Sequence, residues 1–473
     1  MESGKDAVGA PSQAARPTIS EQLAGFWSGV SADSLPDEVL AAAKRFILDT
    51  LACCVVGART EAVEAILRAL EATGGRMQGP ARLWGRDGML PADRAALVNA
   101  TAAHALELDD FGGCGHSGAV VIPSVFAAAE QTGASGRDVL VSVVAGYDIA
   151  ARVLEGAGGY RRHNDLGWHS SGTCGSFGAA AGVAKLLGFD ADLFASALGI
   201  AGTFTGGTWA FLADGAMTKR FHPGKAAETG VCAAYLAQAG MTGPHHVLDA
   251  PWGGFFSTYA PMISEPDLAV AELGQSFRIL RSGIKPYACC RTIHAPVDSL
   301  FLLMEAFSAS QEEIAEIIVH GNQQTVLQFD RMHVDNLLDA QFSMQYCLAV
   351  AALRGKLDLD QFKPLQTNNP EVLRLMSITR IVPDRVLGPT DYAAVELVLK
   401  DGRRGERQVR FAKGHAENPL SSEEVEAKAR SLVEPILGRL ATDDIIDFIG
   451  ALESLPDIRR LSHLLVPGDV LRL

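Results

Sequence analysis

Four short segments of the chain concentrate residues that can move protons or hold anions. In the first, His104 to Ser117 (HALELDDFGGCGHS), Glu107, Asp109 and Asp110 end an apolar helical stretch, and a glycine-rich loop then delivers His116. Carboxylates at a helix C-terminus oppose the helix dipole, so they stand there either solvated in a loop or as part of a site. His104 and Glu107 are one helical turn apart and, with Asp109, also read as a metal-ligand set, although no second His/carboxylate pair of matched spacing accompanies them. The second segment, Gly167 to Phe177 (GWHSSGTCGSF), sets His169, Ser170 and Ser171 just before a small-residue helix. Free N–H groups at such a start bind an anion such as a carboxylate, or a serine simply caps the helix and His169 faces solvent. In the third, Thr218 to Lys225 (TKRFHPGK), Lys219, Arg220, His222 and Lys225 precede a helix that Pro223 is placed to open; the alternative is a basic surface loop. The fourth, Lys285 to His294 (KPYACCRTIH), combines a lysine, two thiols, an arginine and a histidine in a stretch too apolar for a simple surface loop. Arg291 can grip a carboxylate with two parallel hydrogen bonds, and Cys289 and Cys290 are either reactive or, more commonly for such thiols, buried and inert.

These segments need a large helical scaffold, and the chain has the material for one. Its 473 residues are 48% hydrophobic and 20% charged, as in a packed globular protein. Apolar residues recur at helical spacing over 34–55, where Ser34 and Asp37 resemble a capping box, and over 94–108, 137–153, 173–187 and 225–238. The pattern changes near residue 276. Ile314 to His320 reads as a strand, and Tyr392 to Leu399, a turn at Asp401-Gly402 and Gln408 to Phe411 read as a hairpin. A second capping box, Ser421 with Glu424, returns the chain to helix. The expected fold is therefore mainly α: a helical domain built from 18–275 and 416–473, an α+β lid over 276–415, and a frayed tail over 1–17. A formal net charge of −14 argues against nucleic-acid binding. No apolar run of about 18 residues suggests a membrane span, and the first residues lack the apolar core of a secretory signal. Eight sparse cysteines without a C-x-x-C pair fit neither a disulfide framework nor a zinc finger, and point to reduced thiols in a cytoplasmic protein.

Taken together and in order, the motifs resemble the MmgE/PrpD family. The resemblance rests on Asp109-Asp110, the glycine-rich gap, His116 and Val121-Ile122-Pro123; on Gly146-Tyr147-Asp148 with Arg152; and on Gly167-Trp168-His169 with Gly172-Thr173. It continues through Thr218-Lys219, His222 and Gly224-Lys225-Ala226, then Lys285 with Tyr287, and Gln341-Phe342-Ser343 leading to Tyr346, and spans about residues 18–473. It implies a helical domain with an inserted lid, a homodimer, and an active site between the two domains. Members include a 2-methylcitrate dehydratase, a cis-aconitate decarboxylase and an iminodisuccinate epimerase, all of which can work through a carbanion beside a carboxylate. By position, His116, His169, Lys219, Lys285 and Tyr346 fall on active-site positions of the decarboxylase, and Glu107 or Asp109 on its acidic position. The chain departs from the family pattern in Phe111-Gly112 (often Thr-His), in His116-Ser117 (often His-Pro), and in Ala288-Cys289-Cys290, where Cys290 replaces a histidine of the decarboxylase. That last change implies little decarboxylation of cis-aconitate.

The expectation is a cofactor-independent lyase or isomerase that abstracts a proton next to a carboxylate of a di- or tricarboxylic acid. His116, His169 or Lys219 would act as base or acid, with Asp109 among the catalytic groups and Tyr346 donating from the opposite side. Lys285 and Arg291 would hold carboxylates, with Glu107, Ser170 and Cys290 also lining the substrate site. The scheme requires no metal and no organic cofactor. Two other classes remain: a non-catalytic homologue that binds a metabolite, and a metal-dependent hydro-lyase using His104, Glu107 and Asp109.

Overall fold

The computed structural model describes residues 16–74, 78–388 and 391–467. Of the tail expected over 1–17, all but Arg16 and Pro17 lie outside the described residues. Six helices form the part of the scaffold that positions the site: α1 (Asp37–Gly57), α2 (Ala92–His104), α3 (Ser117–Thr132), α4 (Gly136–Gly156), α5 (Gly175–Leu186) and α6 (Thr218–Gln238). Alanine, glycine and valine fill α3 on all sides, and residues 117–130 of it are buried, as befits a helix surrounded by others. Helix α6 packs on α2, α3 and α5. It comes very close because its glycines carry no side chain. A Cβ at Gly230 would meet the Ala179 Cβ at 2.2 Å, and one at Gly224 would stand 2.1 Å from Thr101 Oγ1 and 2.7 Å from the Leu97 carbonyl oxygen. The crossing at Gly224 sets the first turn of α6 beside the last turn of α2, which brings Lys219 to His104.

Three local expectations are corrected. Helix α6 begins at Thr218, so Pro223 lies inside it and not at its start, and Lys219 and Arg220 are buried in the helical packing instead of lying on a surface loop. Pro36, not Ser34, precedes α1; Ser34 belongs to a short 3-10 turn, where its hydroxyl bonds the Ser31 carbonyl. The hairpin's second strand is Arg404–Arg407 and not 408–411. Beyond it, Val409 N–H turns away to donate to Ser299 Oγ, which ends the ladder. The capping box at Ser421 and Glu424 forms as expected, with bonds of 3.2 and 2.7 Å.

The sheet-bearing region contains β1 (Ile314–His320), β2 (Thr379–Val382), β3 (Ala394–Leu399) and β4 (Arg404–Arg407) in the order β2-β1-β3-β4. β1 runs parallel to β2 and antiparallel to β3, with Val319 opposite Ile381 and Val395. Helix α7 (Arg291–Phe307) covers β3 and β4, and α8 (Met344–Arg354) packs on α7. The chain then returns to the first helices. Helix α9 (Ser422–Leu437) lies on α1, and its Lys428 reaches Asp49 at 2.5 Å and the Leu108 carbonyl at 2.6 Å. Gly136 N–H donates to Leu455 O and Gly85 N–H to Leu465 O. No helix among the described residues is long and apolar enough to cross a membrane.

The tight crossing gives a first test. Gly224→Ala should destabilise the fold by about 1–3 kcal/mol, because the added methyl overpacks a backbone-lined contact. Urea unfolding measures this directly, and an unchanged midpoint would show that the two helices have room to spare there.

Candidate active site

Helix α2 ends at His104, and the three residues after it are pinned by side chains from elsewhere. Arg220 Nε donates to Ala105 O at 2.8 Å, and Gln341 Nε2 donates to Leu106 O at 2.7 Å. Glu107 then takes a left-handed backbone conformation, φ 54°, which costs about 1–2 kcal/mol for a residue with a side chain. The strain turns its carboxylate inward between two ammonium groups. Lys219 binds Oε1 in a short ion pair, while Lys285 donates at 3.1 Å both to Oε2 and to the Glu107 carbonyl. All three residues are buried. Burial alone would raise the Glu107 carboxyl, but Lys219 and Lys285 outweigh it and hold the group well below the usual range. Burial pulls Lys219 down, with Lys285 adding to it and Glu107 opposing. Burial acts likewise on Lys285, but there Glu107 and Asp109 win and its affinity for the proton rises.

Asp109 is shared by two imidazoles. His104 Nδ1 lies 3.0 Å from Asp109 Oδ2, and His116 Nδ1 also lies 3.0 Å from Oδ2. His116 Nδ1 is 2.9 Å from the Asp110 carbonyl as well, and His104 Nε2 is 2.8 Å from the Lys219 ammonium. Lys219 can only donate, so His104 Nε2 accepts and its proton sits on Nδ1, facing Asp109. Burial, with Lys219 adding to it, lowers His104 to about 3 against the pull of Asp109. Neighbours also set the tautomer of His116. Both partners of its Nδ1 are acceptors, so in the neutral imidazole Nδ1 carries the proton and Nε2 presents a lone pair. Burial would raise Asp109, but the two imidazoles beside it hold it well below the usual range. Asp110 does a different job: both of its oxygens accept from Gly118 N–H at 3.0 Å in the first turn of α3, and Tyr147 OH donates at 2.9 Å. It thereby fixes the start of the helix that follows His116.

His169 joins this group. It precedes a short helix, Ser170–Thr173, and its Nδ1 lies 3.0 Å from His222 Nδ1. One nitrogen each of His104, His116 and His169 falls within 4.8 Å of the others. Burial, with Lys219 and His222 adding to it, lowers His169 well below the ordinary histidine range. Ser171 accepts from the His116 N–H at 3.1 Å, while the buried Ser170 hydroxyl has no partner among the described residues. A Cβ at Gly115 would lie 2.7 Å from Ser171 Oγ and 3.1 Å from Ser170 Oγ, so only glycine leaves the loop close to both. Cys290 is half-buried beside this cluster; burial and then the Glu107 charge push its thiol up to about 11, which makes it a poor nucleophile.

The structure therefore brings together Glu107, Asp109, His116, His169, Lys219 and Lys285. It does not bring Tyr346 to them. That hydroxyl donates to Gln361 O at 2.8 Å and accepts from Gln366 N–H at 3.0 Å, within the sheet-bearing region. Nor does the cluster suit an ion. Glu107 is taken by two ammonium groups, and both His104 nitrogens are taken, by Asp109 and by a cation. Sequence reasoning missed His104 as the partner of Lys219, and missed Gln341 and Arg220 as the groups that pin the 105–107 backbone. The one signal for His104 was its spacing from Glu107 and Asp109.

Buried histidines, lysines and carboxylates gathered on packed helices suit acid–base chemistry, and similarity to known proteins places the chain among enzymes of the lyase type. The chain belongs to the MmgE/PrpD family: the MmgE/PrpD N-terminal domain matches residues 21–263 and the MmgE/PrpD C-terminal domain residues 287–453. It is 28% identical to a cis-aconitate decarboxylase of Aspergillus terreus, covering 95% of this chain and 96% of that one. Identity is also 28% to the cis-aconitate decarboxylase of Homo sapiens, covering 95% and 94%, and to a cis-aconitate decarboxylase-like protein, oryM, of Aspergillus oryzae, covering 94% and 97%.

Asp110 yields a pH test. Burial, with the neighbouring Asp109 charge adding to it, raises its carboxyl to about 8. Between the unfolded value near 4 and about 8 the folded state binds the extra proton, so this group's contribution to stability is full at low pH and is lost as pH rises through that window. Asp110→Asn should flatten the fall of melting temperature between pH 5 and 8. An identical slope in the variant would mean that Asp110 is ionised throughout.

Proposed function

We propose that the chain is a cofactor-independent lyase that makes or quenches a carbanion next to a carboxylate of a di- or tricarboxylic acid, with His116 as its base. The observation that carries this is the Nδ1 of His116 held between Asp109 and the Asp110 carbonyl, which leaves Nε2 as a free acceptor. At 8% exposure His116 is also less buried than Glu107, Asp109, His104, His169, Lys219 and Lys285. In the forward step the proton beside the carboxylate moves to His116 Nε2 and the C–H electron pair spreads into the carboxylate. Asp109 steadies the imidazolium that forms, as a carboxylate does behind a catalytic histidine. Lys219, fixed by Glu107 and His104, supplies positive charge where the enediolate develops. Loss of a β-hydroxyl as water, with the proton returned by the His116 imidazolium, then completes a dehydration, and return of a proton from another side completes an epimerisation. In a decarboxylation the same carbanion arises by loss of carbon dioxide and takes its proton from a His116 that has first picked one up from solvent on Nε2. His169 is the second proton carrier in this scheme. Tyr346 is not used, because its hydroxyl is committed to backbone groups.

The relatives named as cis-aconitate decarboxylases support a carboxy-lyase or dehydratase among these outcomes. Cys290, which resemblance to that decarboxylase aligns with a histidine, favours an acid other than cis-aconitate. The sheet-bearing region already lies against the helices through Lys285, which donates to Glu107, and this contact would keep water from the carbanion. We propose that it works as a homodimer, as the family resemblance implies, and in the cytoplasm, as its sparse cysteines suggest.

Proton NMR of the enzyme with a panel of di- and tricarboxylic acids in deuterated water, cis-aconitate included, tests the reading. At least one acid should lose or exchange a proton beside a carboxylate. On that acid, His116→Ala and Lys219→Ala should each lower kcat by roughly a hundredfold or more, because both act on the transition state more than on the bound substrate. Near-normal turnover in either variant would remove that residue from the chemistry.

A further inference from the structure

Arg291, the first residue of α7, carries three guanidinium nitrogens shielded from solvent, none of which has a hydrogen-bond partner among the described residues. No other described residue leaves more than one buried side-chain atom in that condition. Its guanidinium carbon lies 4.3 Å from the centre of the Phe111 ring and 5.1 Å from that of Tyr392. Aromatic faces stabilise a cation, but they do not satisfy N–H groups that point outward in its plane. Asp298, farther along α7, is committed to the Tyr287 hydroxyl and the Lys413 N–H. Lys219 and Lys285 differ in kind, because each already has a carboxylate partner in Glu107. Leaving a buried guanidinium unpaired is costly, and the geometry it presents is the in-plane fork that a carboxylate matches with two bonds.

Its position ties it to the reacting groups. Phe111 lies on the loop that delivers His116, and it exchanges backbone hydrogen bonds of 2.9 and 2.8 Å with Gly283, two residues before Lys285. Two more unpartnered buried atoms lie on this seam: His294 Nδ1, one turn along α7, and Ser282 Oγ, 3.3 Å from where a Cβ at Gly112 would stand.

We propose that Arg291 is the specificity-determining residue of the site: it binds edge-on the carboxylate that takes no part in the reaction, and so selects substrates with a second acid group. The proposal rests on the carbanion reading only for which carboxylate is the spectator, since binding needs no turnover.

Calorimetry on the full chain with maleate, a cis dicarboxylate, and isocrotonate, the cis monocarboxylate of the same carbon chain, tests it alongside thermal melting. Arg291→Met should melt at or above the unaltered enzyme, because an unpaired buried charge is gone. Its affinity for maleate should fall by about 30-fold or more, while that for isocrotonate changes by less than about threefold. Arg291→Lys keeps the charge without the fork and should restore only part of the maleate binding. Maleate affinity in Arg291→Met within about threefold of the unaltered enzyme would overturn the proposal, as would an equal loss for both acids. If maleate binding follows these expectations but no acid in the NMR panel exchanges a proton, the carbanion reading fails and the role of Arg291 stands.

Discussion

Two carboxylates and two ammonium groups are placed where water does not reach, and they must neutralise one another there. Glu107 and Asp109 supply the negative charge, Lys219 and Lys285 the positive. Isolated charges cannot be buried at tolerable cost, and removing one member of such a set typically costs about 3–5 kcal/mol. Burial, with the Lys219 charge adding to it, keeps His104 and His169 neutral. A neutral imidazole has one donor and one acceptor nitrogen, and fixed neighbours then decide which is which. The charge constraint thus becomes a constraint on tautomers, and through His116 on where a proton can be taken.

The fold serves this cluster at several removes. The glycine crossing of α6 over α2 lets Lys219 reach both Glu107 and His104. Lys428, from the last third of the chain, holds the Leu108 carbonyl, and Gln341 and Arg220 hold the two residues before Glu107. Residues far apart in sequence thereby fix one strained turn, which has no means of holding itself in a left-handed conformation.

The helices were legible because their apolar spacing is long and regular, and β1 because it is a short β-branched run. The candidate residues were legible by type, since His116, His169 and Lys219 are unusual in an acidic, alanine-rich chain. What the sequence concealed was pairing. Pro223 reads as a helix opener, yet tertiary packing extends α6 five residues ahead of it. His104 reads as the last residue of an apolar helix or as a metal ligand, because nothing local reveals that Lys219 lies 2.8 Å from its Nε2. The role expected of Tyr346 came from resemblance alone, and the bonds its hydroxyl makes to the 361–366 backbone depend on how a loop folds back over α8.

The tautomer of His116 is the property from which the proposed chemistry follows, and it can be observed without a substrate. Long-range proton–nitrogen correlation NMR on the enzyme labelled with 15N-histidine, at neutral pH, separates protonated from bare ring nitrogens. His116 is expected to show a protonated Nδ1 and an unprotonated Nε2, as is His104. A proton on Nε2 of His116 would leave it no lone pair facing the substrate and would contradict its assignment as the base.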